Sequence, residues 1–141
     1  MSELREPRYD RWYSYEELTD YLRAAAEARP ELCRLRSLGR TPEGREIWMV
    51  EIAQQLVDRA AQAGSGSGPG EEAAAGCEVE TRPGFLVHAN IHAQEVAGTN
   101  SALRLVHDLL SGSPDFVAGR ELLRETVFYV VPRLNPDGAE F

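Results

Sequence analysis

Residues 83–110 read PGFLVHANIHAQEVAGTNSALRLVHDLL, and this stretch decides the fold class. Its first part, through Ile91, is a short and nearly continuous apolar run, which is typical of a strand inside a sheet. A second run of this kind, TVFYVVP at 126–132, predicts a further strand. Between them lies the apolar face of a helix, made by Ala102, Leu103, Val106, Leu109 and Leu110. A strand, a helix and a strand in this order predict an α/β fold with right-handed crossovers.

Two further elements precede this stretch. In YSYEELTDYLRAAAEARP at 13–30, Ser14 and Glu17 form a capping box, and apolar residues recur at helical spacing. This pattern predicts an amphipathic helix that ends at Pro30. In the next segment, two alternating runs flank a TPEG turn, which predicts a β-hairpin of about residues 34–38 against 46–52.

The segment at 54–83 differs from the rest in composition. It begins with QQLVDRAAQA, which is compatible with a short helix, and continues with GSGSGPGEEAAAG, a flexible linker type. We therefore expect a surface insertion. Another short turn of helix is expected to begin at Ser113 and Pro114. Cys33 and Cys77 lack the CxxC spacing of a metal or redox site. We expect both to be thiols that are buried or have no function, and a single disulfide between them is the alternative.

Composition excludes several classes of protein and partner. The chain has 141 residues, 43% of them hydrophobic and 27% charged, which indicates one globular domain with a sizeable core. A net charge of -8 argues against nucleic acid and anionic membranes as partners, because both would repel the chain. The sequence as written has neither a membrane-spanning apolar stretch nor a signal peptide. It therefore predicts a cytoplasmic location, while secretion of a longer form stays open.

The candidate site is the HxxE pair formed by His92 and Glu95. The pair follows a buried strand directly and precedes a helix, and ligands of open α/β sheets bind at that carboxyl end. Imidazole and carboxylate are zinc donors, and three residues over a turn can face one ion. The alternative is a hydrogen-bonded pair that caps the helix start. A site of His88 with His92 is disfavoured, because four residues on a strand span about 13 Å. We expect His88 and His107 to be packed or hydrogen-bonded histidines.

The run Val127–Val131 raises a question about the sheet. A strand of this kind is buried on both faces and needs neighbours and covering helices, yet only ten residues follow it. We therefore expect the chain to end within its domain. Left at a sheet edge, this strand would be prone to aggregation.

Four blocks together resemble the N-terminal half of the M14 zinc carboxypeptidases. They are YSYEELTDYL at 13–22, SLGRTPEGREIWMVEIA at 37–53, NIHAQEVAG at 90–98 and VVPRLNPDGAEF at 130–141. The resemblance covers nearly all of the chain except 54–83.

The resemblance implies an α/β/α sandwich around a mixed sheet, with residues 1–141 as the N-terminal portion of one domain. It also implies one Zn²⁺ ion held by His92, Glu95 and a second histidine from later in the family sequence. The implied reaction is removal of C-terminal residues from peptides with a free carboxylate, and a downstream glutamate is the general base. Because the chain ends at Phe141, we expect the isolated chain to be inactive.

The turn NPDG also matches the family, and we assign it a structural role. Pro136 and Gly138 set the turn, and the Asp137 carboxylate is expected to bond its own backbone. Asn135 is part of the same turn. Arg133 lies nearby, but nothing in the sequence makes it a carboxylate-binding arginine.

Two other functions stay open. A related zinc amidohydrolase that cleaves acyl-amino acids would use the same HxxE strand exit, although the hairpin and the NPDG turn favour a peptidase. A non-catalytic interaction module, whose partner covers an exposed strand, is the alternative outside enzymes.

Overall fold

The computed structural model of the chain describes residues 4–56, 80–112 and 119–140. In chain order, the elements are α1 (Tyr15–Ala28), β1 (Cys33–Arg40), β2 (Glu46–Ile52), β3 (Gly84–His88), α2 (Val96–Ser111), α3 (Gly119–Glu125) and β4 (Val127–Val131). A short 3₁₀ turn, Gly138–Glu140, follows. Among these described residues, no helix is both long enough and apolar enough to cross a membrane.

The four strands form one mixed sheet in the order β1-β2-β4-β3. β1 and β2 are the predicted hairpin, β2 pairs with β4 antiparallel, and β3 pairs with β4 parallel. The mixed α/β fold is thus confirmed. β4 is an inner strand, so it has the neighbours that its apolar sequence requires and is not the exposed edge that would be prone to aggregation. Its two neighbours come from earlier in the chain, and β1 and β3 are the two edge strands of the described sheet.

The core lies between one face of the sheet and the helices. Cys33, Val50 and Val130 lie on this face in successive strands. Helix α1 packs against β1, and α2 packs against β2 and β4. The apolar face predicted for α2 is buried with them. Burial of this apolar surface is the main driving force for the fold.

The opposite face of the sheet is more open. Leu86 is 62% exposed on β3, and its cross-strand neighbour Tyr129 is half-buried. On the same face, Glu51 is buried through an ion pair with Arg36 at 2.8 Å. Val127 and Val131 also lie on this face and are buried, so the face is open at its centre and covered at the ends of β4.

Local signals predicted the element ends well. The Ser14 hydroxyl accepts from the Glu17 amide, the Glu17 carboxylate accepts from the Ser14 amide, and α1 ends at Ala28. Gly112 ends α2 in the left-handed conformation. Helix α3 was missed. Of the helix expected within 54–63, only residues 54–56 are described, and they form a turn. Residues 57–63, the linker at 64–76, Cys77 and the turn at Ser113 and Pro114 lie outside the described residues.

Candidate metal centre

The His92–Glu95 pair lies on a tight turn between β3 and α2. Nδ1 of His92 lies 2.9 Å from Oε1 of Glu95, and the His92 amide donates to Oε2 at 3.2 Å. The Glu95 amide closes the turn by donating to the His92 carbonyl at 3.1 Å. The side chains are 72% and 53% exposed, so solutes can reach both. The spacing thus brings an imidazole nitrogen and a carboxylate to one accessible point.

The alternative that this pair caps α2 is wrong in one respect. Glu95 is the N-cap residue, but its side chain makes no capping hydrogen bond. Its carboxylate is occupied by the ring and the amide of His92 instead. The hydrogen bond from the His92 ring is the main cause that lowers the pKa of Glu95, so this carboxylate is an anion near neutral pH.

Close packing fixes where the turn leaves the sheet. The start of α2 approaches the end of β3 so closely that a Cβ on Gly98 would lie 3.2 Å from the Ala89 Cβ. On the other side, the Ala89 carbonyl accepts from the Leu134 amide at 2.9 Å. The turn is therefore clamped between α2 and the segment after β4.

The other two histidines do not join this pair. His88 was expected to be packed or hydrogen-bonded, and the packing is wrong, because His88 is exposed at the end of β3, an edge strand. His107 is packed in α2 with its side chain 17% exposed, as expected. Within the described residues, no group of three or more His, Cys, Asp or Glu side chains could hold a metal ion.

The NPDG turn is structural, but its bonds differ from the prediction. Oδ1 of Asn135, not Asp137, accepts from the turn's own backbone, at the Gly138 amide. The Asp137 carboxylate reaches the hairpin turn, where it accepts from the Thr41 hydroxyl at 2.7 Å and from Arg45 at 2.7 Å. These bonds, with other hydrogen bonds, lower the pKa of Asp137 although partial burial opposes them. The contact spans more than 90 residues of sequence, which is why local rules missed it.

Arg133 is a buried structural residue. Its side chain is 1% exposed, pairs with Glu140 at 2.8 Å and donates to the Tyr13 carbonyl at 2.7 Å. Burial lowers the pKa of its guanidinium, and Glu140 opposes that shift. A substrate carboxylate cannot reach this guanidinium in the described structure.

The donor chemistry of the pair fits zinc in part. A histidine nitrogen and a carboxylate oxygen are two of the ligand types that zinc takes, and a catalytic zinc site uses three protein ligands. His92 and Glu95 supply two such donors. The sequence has three histidines, and neither His88 nor His107 lies in this group.

Comparison with known proteins shows which family the chain belongs to. The family model described as zinc carboxypeptidase matches residues 18–141. Human carboxypeptidase D is 35% identical over 144 residues, which cover 99% of this chain and 10% of that protein. A zinc carboxypeptidase from Saccharothrix mutabilis subsp. capreolus is 24% identical, and the match covers 94% of this chain and 26% of that protein. The chain thus spans between a tenth and about a quarter of these relatives.

Solved structures show the same fold. Thrombin activatable fibrinolysis inhibitor superposes with a TM-score of 0.70 at 16% identity, covering 92% of this chain and 27% of that one. Carboxypeptidase A from Helicoverpa armigera gives 0.69 at 21% identity, covering 94% and 26%. At these identities the likeness is evidence of the fold alone.

Proposed function

The chain belongs to the M14 zinc carboxypeptidase family, and from that premise we propose that His92 and Glu95 are two ligands of a catalytic zinc ion. The reaction we propose for the protein is hydrolytic removal of C-terminal residues from peptides. The observation that carries the proposal is the 2.9 Å contact between Nδ1 of His92 and Oε1 of Glu95 on an exposed turn.

Each residue of the pair has a distinct task in this proposal. His92 would offer Nδ1, which already lies beside the Glu95 carboxylate. To bind zinc through Nδ1, the ring must carry its hydrogen on Nε2 instead, because a nitrogen that donates to a carboxylate has no free lone pair for the metal. Glu95 offers an anionic oxygen that offsets the charge of a cation. When bound, zinc acts as a Lewis acid towards the scissile carbonyl and activates water for hydrolysis.

The remaining parts of such a site are not among the described residues. A third protein ligand and a general base are needed for metal-assisted peptide hydrolysis. Arg133 is committed to Glu140 and Tyr13, so it does not serve as the clamp for a substrate carboxylate. We therefore expect the 141-residue chain by itself to bind zinc without turning over peptides.

The proposal is tested by a peptide-cleavage assay on the protein as it is purified from its host cell. A peptide with a free C-terminal carboxylate is compared with the same peptide amidated and with an N-acyl amino acid. We expect release of the C-terminal residue from the first substrate only, loss of that release in His92→Ala, and full activity in His88→Ala. Cleavage of the acyl-amino acid alone would favour the amidohydrolase. Peptide release that persists in His92→Ala would contradict the proposal.

A further inference from the structure

Asn90 has an unusual backbone conformation immediately before the HxxE turn. Its φ is +52°, a left-handed value, and its exposed fraction is only 2%. Asparagine and glycine tolerate this conformation better than other residues. A buried polar residue at such a position is expected to have hydrogen-bond partners, so its contacts indicate its purpose.

The Asn90 side chain joins the turn to α2. Nδ2 donates to the His92 carbonyl at 2.7 Å, and Oδ1 accepts from the Thr99 hydroxyl at 3.3 Å. A carbonyl can only accept, so the atom that faces His92 must be the amide nitrogen. The single hydrogen of the Thr99 hydroxyl is shared with the Pro132 carbonyl, which is the closer acceptor at 3.0 Å. Thr99 is completely buried in α2, so Oδ1 of Asn90 is hydrogen-bonded to a side chain that packing holds in place.

The His92 carbonyl is consequently held from two directions. Asn90 reaches it from before the turn, and the amide of Glu95 reaches it from the far end at 3.1 Å. The backbone of Asn90 is itself fixed, because its carbonyl accepts from the Asn135 amide at 3.1 Å. Asn90 is thus the buried residue that joins the end of β3, the His92–Glu95 turn and the segment after β4.

We infer that Asn90, supported by Thr99, is a positioning residue that sets the geometry of the His92–Glu95 turn. Its relevance to metal binding rests on the function proposed above. Glycine could adopt the same φ but has no donor for the His92 carbonyl, so an asparagine is needed here for its side chain. Groups that orient metal ligands affect metal affinity without contacting the ion.

The test measures the turn and the metal separately in the 141-residue chain. Asn90→Gly preserves the backbone conformation and removes the side-chain bonds. We expect the Glu95 amide to exchange its hydrogen roughly tenfold faster or more, and zinc affinity in a chelator competition to fall by about tenfold or more. Thr99→Val should change the Glu95 exchange rate and the zinc affinity in the same direction but less. Thr99→Ser should leave both near their original values, because it keeps the hydroxyl.

Asn100→Ala is the matched control. Asn100 is also buried in α2 and donates to backbone carbonyls, but these belong to Arg8 and Arg11 in the N-terminal segment. Its loss should leave the Glu95 amide and zinc affinity near their original values. If Asn90→Gly alters the Glu95 amide no more than Asn100→Ala does, the inference is overturned. If the amide changes as expected but His92→Ala leaves zinc affinity unaltered, Asn90 positions the turn and the zinc proposal fails.

Discussion

Glu140→Gln should destabilise the protein by leaving a buried charge without its counter-charge. The guanidinium of Arg133 is nearly inaccessible, and Glu140 is the carboxylate that pairs with it, at 2.8 Å. The substitution keeps the shape of the side chain and removes only its charge. Nε of Arg133 already has no hydrogen-bond partner among the described residues, so the guanidinium has little to compensate the loss.

The expected magnitude follows from burial. Removing one partner of a fully buried ion pair costs about 3–5 kcal/mol. The Glu140 side chain is 24% exposed, so water can partly solvate the site after the substitution. We therefore expect a loss of about 2–3 kcal/mol in the free energy of unfolding. Arg133→Met should cost less than Glu140→Gln, because it removes the buried charge itself.

Urea unfolding at pH 7 measures both variants and the double variant. Asp108→Asn is the control, because it breaks an ion pair with Arg104 of the same 2.8 Å length whose arginine is 49% exposed. That variant should change the free energy of unfolding much less. A loss for Glu140→Gln no larger than the control's, or a larger loss for Arg133→Met, would refute the argument from buried charge.

Three other predictions concern α1, the core thiol and the hairpin turn. Ser14→Ala should cost about 1 kcal/mol in urea unfolding by removing the helix cap, with Ser101→Ala as an exposed control. Burial raises the pKa of the Cys33 thiol to about 12, so in a Cys77→Ser background a thiol reagent at pH 8 should modify it only after unfolding. Because the unfolded thiol ionises first, this group should also make stability fall between about pH 9 and pH 12. Asp137→Asn should speed exchange of the Glu43 amide, which donates to that carboxylate, and unaltered exchange would count against the contact.

Local rules predicted the elements whose signals are local. Ser14 and Glu17 lie three residues apart and cap α1 as expected, and the HxxE spacing places His92 and Glu95 in contact. Both cases depend on one turn of chain, where spacing in sequence determines distance in space. The helical face of α2 was predictable for the same reason.

Contacts between distant segments were not predictable in this way. The neighbours of β4 depend on the order of strands in the sheet, and alternation along a strand carries no information on which strand lies beside it. The bond from Asp137 to the hairpin turn and the bond from Arg133 to Tyr13 likewise join segments far apart in sequence. Asn90 was the missed residue with a usable signal, because asparagine before a turn is compatible with a left-handed backbone.

The central claim is that His92, and not another histidine, binds zinc together with Glu95. The most direct measurement is the ¹⁵N NMR spectrum of the three histidine side chains of the 141-residue chain during a zinc titration. His88 is exposed and lies on β3 before the turn, so it serves as an internal control. The account predicts that Nδ1 of His92 shifts first and saturates at one zinc per chain, and that Glu95→Gln weakens this response. Equal shifts at His88 and His92, or none at His92, would contradict it.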